Sequence, residues 1–358
     1  MPPELLVAGV VLIGLVIYSL TGGADFGGGV WDLLALGRRA RLQREAIAHT
    51  IGPIWEANHV WLIVVLVLLW TCFPKVFATL GTALHIPLTL TLIGIVLRGS
   101  AFVFRSYDRQ DTRSQLRWSL IFAGASVITP ITFGISVGAI SSGTLPMDPV
   151  TGMVQTDFIS SWFAPFPLVV GLYTLTLFAW LAATYLTVEV GYAPLRRDFQ
   201  YRAIAAGIAS GVLAFAALLL MPTGAPHLWE LVGSSPIVWV FVALVSSFAA
   251  VSLIAEWLRA FRIAQLTAGA TVAMVVMGWG AAMFPEMVQP DLTVWNTAAP
   301  DTVQWTTLIV LGLGAVLLVP SFIWLYRVFD TARSAESKAA AEAKGTPPDE
   351  DPQRMSKA

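Results

Sequence analysis

The feature that most limits what this chain can become is an alternation. Apolar stretches of about 20 residues are separated by connections that are in turn rich in arginine and almost free of basic residues. Nine stretches run near 5–24, 50–72, 76–97, 117–140, 163–188, 203–221, 236–256, 263–284 and 303–326. Each is long enough to cross about 30 Å of hydrocarbon at about 1.5 Å per residue. A backbone in lipid must satisfy its own hydrogen bonds, so the predicted fold class is an all-α integral membrane protein with nine transmembrane helices.

The connections set the orientation. One side collects Arg38, Arg39, Arg41 and Arg44, then Arg98, Arg105, Arg109, Arg113 and Arg117, then Arg196, Arg197 and Arg202, then Arg259 and Arg262, and finally the basic residues of the C-terminal tail. Lys75 is the exception on the other side. The positive-inside rule predicts an outside N-terminus and a cytoplasmic C-terminus, and only a count of nine preserves the alternation. The other connections, 141–162, 222–235 and 285–302, have no Lys or Arg. Trp162, Trp229, Trp295 and Trp305 suit interfacial anchoring there.

Composition serves mainly to exclude. Only 12% of residues are charged and mean hydropathy is +0.74, against roughly 25% charged in a soluble domain. The net charge of −1 says nothing of partners because the charges are segregated, and no nucleic acid is expected. The single Cys72 excludes an internal disulfide or a CxxC motif. No basic residue precedes the first stretch and no cleavage pattern follows it, so it is expected to stay in the mature protein. Residues 1–330 read as one polytopic domain and 331–358 as a disordered or weakly helical cytoplasmic tail.

Against this background the polar residues inside apolar runs stand out. Pro53-Ile54-Trp55-Glu56-Ala57-Asn58-His59 leads directly into the run Leu62–Trp70. A charge near the bilayer centre costs about 2.5–3.5 kcal/mol on insertion scales. The first stretch continues into Gly22-Gly23-Ala24-Asp25-Phe26-Gly27-Gly28-Gly29-Val30-Trp31-Asp32. Its glycines suit close helix packing rather than a nucleotide loop, which needs a strand, turn and helix. If the helix runs on to Leu36, Asp25 and Asp32 share a face. Counted from Arg38, Asp25 lies about 20 Å along the first helix, and Glu56 about 15 Å from a second helix beginning at Ala46. Asp32, Asp25 and Glu56 then step inward from the cytoplasmic side as a proton route would. The structural alternative is that they accept hydrogen bonds from Asn58, Trp N–H groups or Arg98 and hold helices together. Arg98 either snorkels to the interface or turns inward to a carboxylate. Glu189 and Glu256 are expected to be solvated at helix ends. His59 can share the Glu56 face, and His85 lies ahead of Pro87; with His49 and His227 near opposite surfaces, the set does not suit haem ligation. No metal site is expected.

Three blocks together resemble subunit II of the cytochrome bd family of quinol oxidases, including its cyanide-insensitive branch: Gly23–Gly29, Pro53–Leu62 and Arg98–Arg105. A weaker match covers Ala282–Pro285 and Leu292–Asn296. The resemblance implies two four-helix bundles plus a peripheral helix, in the bacterial inner membrane. It implies a haem-free subunit in an obligate heterodimer with subunit I, which carries two b-type haems and one d-type haem, oxidises quinol and reduces dioxygen to water. Small single-helix accessory subunits and a bound quinone are left open. By the same resemblance Glu56 stands where other members have Asp at a proton-path acid, and Asp25 matches the aspartate of the glycine block. Arg98 matches a recurring arginine of unassigned role; Trp55, Asn58 and His59 are supporting groups. The runner-up reading is a proton-coupled secondary transporter using the same carboxylates, and a third is a purely structural helical scaffold.

Overall fold

Proline sets the helix boundaries. Six helices begin with Pro in their first turn, where its missing N–H costs nothing and its fixed φ suits the helix. The computed structural model describes residues 2–51, 55–107, 112–318, 320, 321 and 324, except for the side chains of 51, 55–57, 105–107 and 112–116. The expected tail, 331–358, lies outside the described residues.

In chain order the helices are α1 Pro3–Leu33, α2 Ala40–Ile51, α3 Trp55–Cys72, α4 Pro74–Ala83, α5 His85–Tyr107, α6 Thr112–Ser141, α7 Pro165–Glu189, α8 Ala193–Gly224, α9 Pro226–Ser234, α10 Pro236–Trp257 and α11 Phe261–Met283. A small antiparallel hairpin follows, β1 Glu286–Val288 with β2 Leu292–Thr293, and then α12 Val294–Thr297. The Thr293 hydroxyl and the Asn296 amide form a reciprocal capping box on α12. These elements make one compact unit, residues 1–299; residues 300–358 form a second, whose described helix is α13, Asp301–Leu318.

Among the described residues eight helices are long and apolar enough to cross a membrane: α1, α5, α6, α7, α8, α10, α11 and α13. The protein is a multi-pass, all-α membrane protein. The second expected span, 50–72, ends at residue 72 as expected, and the third, 76–97, needs correction. Phe73-Pro74 stops α3, because the proline clashes with a continuing helix, and α4 leaves at 113° to it. The next span starts at His85. The bent pair α3–α4 makes a ninth crossing when it is taken as one.

A second correction concerns the basic connection after the first span. Much of it is α2, a separate amphipathic helix that buries Ile47 and Gln43. Gly37 takes the turn ahead of it at φ +80°.

Within the first unit the long helices pack as two groups. In one, α1 contacts α3 and α6, and α5 contacts α6; in the other, α7 contacts α8 and α11, and α10 contacts α8 and α11. The groups meet where α1 and α6 lie on α7. Here the glycine block has its use: a Cβ at Gly27 would fall 2.0 Å from the Phe178 carbonyl oxygen, and one at Gly29 2.1 Å from Ser126 Oγ. Only glycine lets α1 sit this close to α7 and α6 at once. The Trp31 indole N–H then reaches across to the Ala179 carbonyl at 2.7 Å.

Candidate functional site

The polar residues singled out above meet in the first group of helices. Asp25 and Arg98 are 3% and 1% exposed. Arg98, from α5, turns inward. Its Nη1 donates to Asp25 Oδ2 at 2.6 Å, its Nη2 donates to Oδ1 and, at 3.3 Å, to the Asp25 carbonyl. Its Nε donates to Ser126 Oγ on α6 at 3.1 Å. The Phe26 and Phe122 rings sit against the guanidinium carbon at 5.0 and 4.9 Å. Charge, fork geometry and aromatic faces are all matched, the combination for which arginine rather than lysine is suited. One side chain thereby ties α1, α5 and α6 together. Of the two alternatives for Arg98, the structure has the inward pair.

Removing either partner would leave the other charge buried and alone, which costs about 3–5 kcal/mol.

Asp32 is also buried, one residue from the end of α1. Arg44 of α2 donates to the Asp32 carbonyl at 3.4 Å and to the Ala35 carbonyl at 3.2 Å, closing the C-terminal end of α1 with a cation.

Residues 52–54, between α2 and α3, lie outside the described residues, and the Glu56 backbone lies in α3. Its side chain, and that of Trp55, lie outside the described residues. Its level in the fold follows from its neighbours. The His59 ring lies 6.4 Å from the Tyr18 ring and 6.5 Å from the Phe26 ring. Farther along, Gly14 faces Val65 and Trp61, so α1 and α3 run antiparallel. One turn before His59 is therefore the level of Asp25 and Phe26. The Glu56 backbone thus stands at a depth similar to that of Asp25.

Among the described residues neither amide atom of the buried Asn58 has a hydrogen-bond partner, nor does the buried His59 Nδ1. Unpartnered buried polar atoms are rare and usually meet water. The seam between α1 and α3 is thus polar at the level of Asn58 and His59.

The histidines sit on four elements: His49 on α2, His59 on α3, His85 at the start of α5 and His227 on α9. His85 Nδ1 is 2.9 Å from the Thr82 carbonyl, and His227 pairs with Glu286 at 3.3 Å. Among the described residues no three His, Cys, Asp or Glu side chains gather as a metal site.

Two residues escaped the sequence reading. Ser126 had no signal beyond a lone hydroxyl in an apolar run. Glu256 was expected in water; it is completely buried, with the Thr187 hydroxyl donating to Oε1 at 3.3 Å.

Comparison with known proteins fits this architecture. A family model described as cytochrome bd terminal oxidase subunit II matches residues 3–329. Cytochrome bd-I ubiquinol oxidase subunit 2 of Escherichia coli (strain K12) is 26% identical, over 90% of this chain and 92% of its own. Cytochrome bd ubiquinol oxidase subunit 2 of Bacillus subtilis (strain 168) is 27% identical, over 86% and 90%. Among solved structures, a chain of the bd oxidase from Geobacillus thermodenitrificans shares the fold with a TM-score of 0.73 at 20% identity, covering 92% of this chain and 99% of that one. The relatives are subunits of a quinol-oxidising terminal oxidase complex, which leaves the transporter reading without support. The chain belongs to the cytochrome bd terminal oxidase subunit II family.

Proposed function

We infer that this chain is the haem-free subunit II of a quinol:oxygen oxidoreductase, built into the bacterial inner membrane with its N-terminus outside and its C-terminus in the cytoplasm. Its fold is two four-helix bundles plus one peripheral helix, and its obligate partner is a subunit I that carries two b-type haems and one d-type haem. Those haems would supply electron transfer and dioxygen reduction. This chain scaffolds the partner and lines a route by which protons reach it from the cytoplasm.

The observation that carries this reading is the buried polar seam: the Asp25–Arg98 pair, with the partnerless amide of Asn58 and Nδ1 of His59 on the facing helix. A scaffold alone gains little from it, since buried ion pairs are weak sources of stability compared with packed apolar groups. A proton route needs such groups. In this reading Asp32 takes the proton near the end of α1 and Glu56 delivers it from the first turn of α3. Asp25, held by Arg98, is the middle member of the route. Trp55, Asn58 and His59 orient the Glu56 turn.

The test of the assignment is an optical spectrum of the complex purified through a tag on this chain. The reading predicts co-purification of a larger subunit and reduced haem d absorption. A haem-free preparation of this chain alone, from cells with active oxidase, would reject it.

A further inference from the structure

A second polar track lies outside the seam just described, in the group formed by α7, α8, α10 and α11. Trp180, Thr184 and Thr187 fall at i, i+4 and i+7 on α7, one face of the helix. All three are buried among apolar neighbours. Among the described residues Trp180 Nε1 has no hydrogen-bond partner. Thr187 Oγ1 is shared between the Thr184 carbonyl at 2.7 Å and Glu256 Oε1 at 3.3 Å. Among the described residues Glu256 Oε2 makes no hydrogen bond within 3.5 Å. The track is kept narrow by Gly207 of α8, where a Cβ would stand 3.1 Å from Trp180 Nε1 and 2.7 Å from Leu253 of α10.

We propose that Glu256 is a proton-exchanging acid, the head of this second track, which binds a proton delivered from the nearby end of α10. The charged groups on the surrounding elements are otherwise placed. Glu189 at the end of α7 is exposed, as are Arg259 and Arg262. Arg196 of α8 donates to the Val190 carbonyl at 2.9 Å and lies over the Phe261 ring, and Arg202 donates to the Leu34 carbonyl and Gln43. Among the described residues none of them forms an ion pair with Glu256. A buried carboxylate without a counter-charge is among the costliest groups a protein can hold, and a proton removes that charge without needing a coordination shell. A divalent cation would take six or more oxygens. Here the side-chain oxygens are those of Glu256, Thr184 and Thr187, while Ser252 donates to the Ala264 carbonyl at 3.0 Å.

Access comes from the short distance to water. Glu256 is one residue from the end of α10, and Trp257, Leu258 and Arg259 beyond it are exposed. Gln200 closes the inner side by donating to the Glu256 carbonyl at 2.5 Å. In the step itself a hydronium ion gives its proton to Oε2, leaving water and a neutral carboxylic acid.

The site is independent of the route through Glu56, and its test reads the carboxyl directly rather than turnover. Infrared spectra of the purified oxidase complex should contain a protonated-carboxyl C=O band that shifts on transfer to D2O and is missing in E256Q. Thr187→Val should move that band without removing it. If E256Q does not assemble, E256D carries the test, and its band should be displaced from the wild-type position. The proposal is overturned if E256Q, or E256D in its place, leaves the carboxylic-acid region unchanged. It is also overturned if the band is insensitive to D2O. A carboxylate band that vanishes in E256Q and responds to sodium chloride instead of pH would make the site a metal-cation site, and would overturn the proposal as well.

Discussion

Arg98→Gln tests the centre of the first group of helices. The substitution removes two charged hydrogen bonds to the Asp25 carboxylate and the contacts with Phe26 and Phe122. Hydrogen bonds to charged groups contribute about 1.5–3 kcal/mol each, and a buried cation–π contact about 2 kcal/mol. Glutamine recovers part of this through its amide, so the expected loss is that of a broken buried pair, about 3–5 kcal/mol. Asp25→Asn should cost a similar amount, because it strands the guanidinium. The double variant leaves no buried charge and should be less damaged than the two losses added, with a coupling of about 2–3 kcal/mol. Apparent unfolding free energies of the purified complex, with pull-down of the partner as the assembly check, measure all four corners of the cycle. Losses that add to within about 0.5 kcal/mol would refute the argument that the pair acts as a unit.

Other predictions follow from separate parts of the fold. Gly27→Ala should cost at least about 1–3 kcal/mol and lower the yield of assembled complex, because its Cβ would meet the Phe178 carbonyl. Gly9→Ala has nothing within 4 Å and should be neutral or gain up to about 1 kcal/mol; equal yields of the two variants would contradict the packing argument. The loop after α6 is ordered by Asp148, which accepts from the Val150 and Thr151 N–H groups at 2.8 and 2.9 Å and from the Gln155 amide. These bonds hold its carboxyl below the usual carboxylate range. Their contribution should therefore be complete above a pH of about 4 and be lost as pH falls through the lower folded value. Amide exchange at Val150 and Thr151 should show this loss in acid, and Asp148→Asn should show faster exchange already at neutral pH.

What could be read in advance, and what could not, divides along physical lines. Membrane class and most spans were legible because lipid imposes a length and a composition on every segment. The end of α3 at Phe73-Pro74 was legible and matches the expected limit at 72, whereas the unbroken apolar run 76–97 hid the division into α4 and α5 at Leu84. The inward turn of Arg98 could not be chosen from one dimension, because Phe26, Phe122 and Ser126 come from two other helices. Glu256 was misjudged for a related reason. Counting residues to a helix end estimates depth along one helix, whereas α7 and α8 cover that end with Thr187 and Gln200.

The role proposed for Glu56 is tested most directly by proton uptake during turnover. The oxidase complex with Glu56→Gln, reconstituted in liposomes and supplied with quinol and oxygen, should assemble with normal haem absorption. It should lose most of its oxygen consumption and its proton uptake from the side bearing the basic connections. Glu56→Asp should keep much of both, since it retains a carboxyl at the same helix turn. Wild-type proton uptake and oxygen consumption in the glutamine variant would contradict the account.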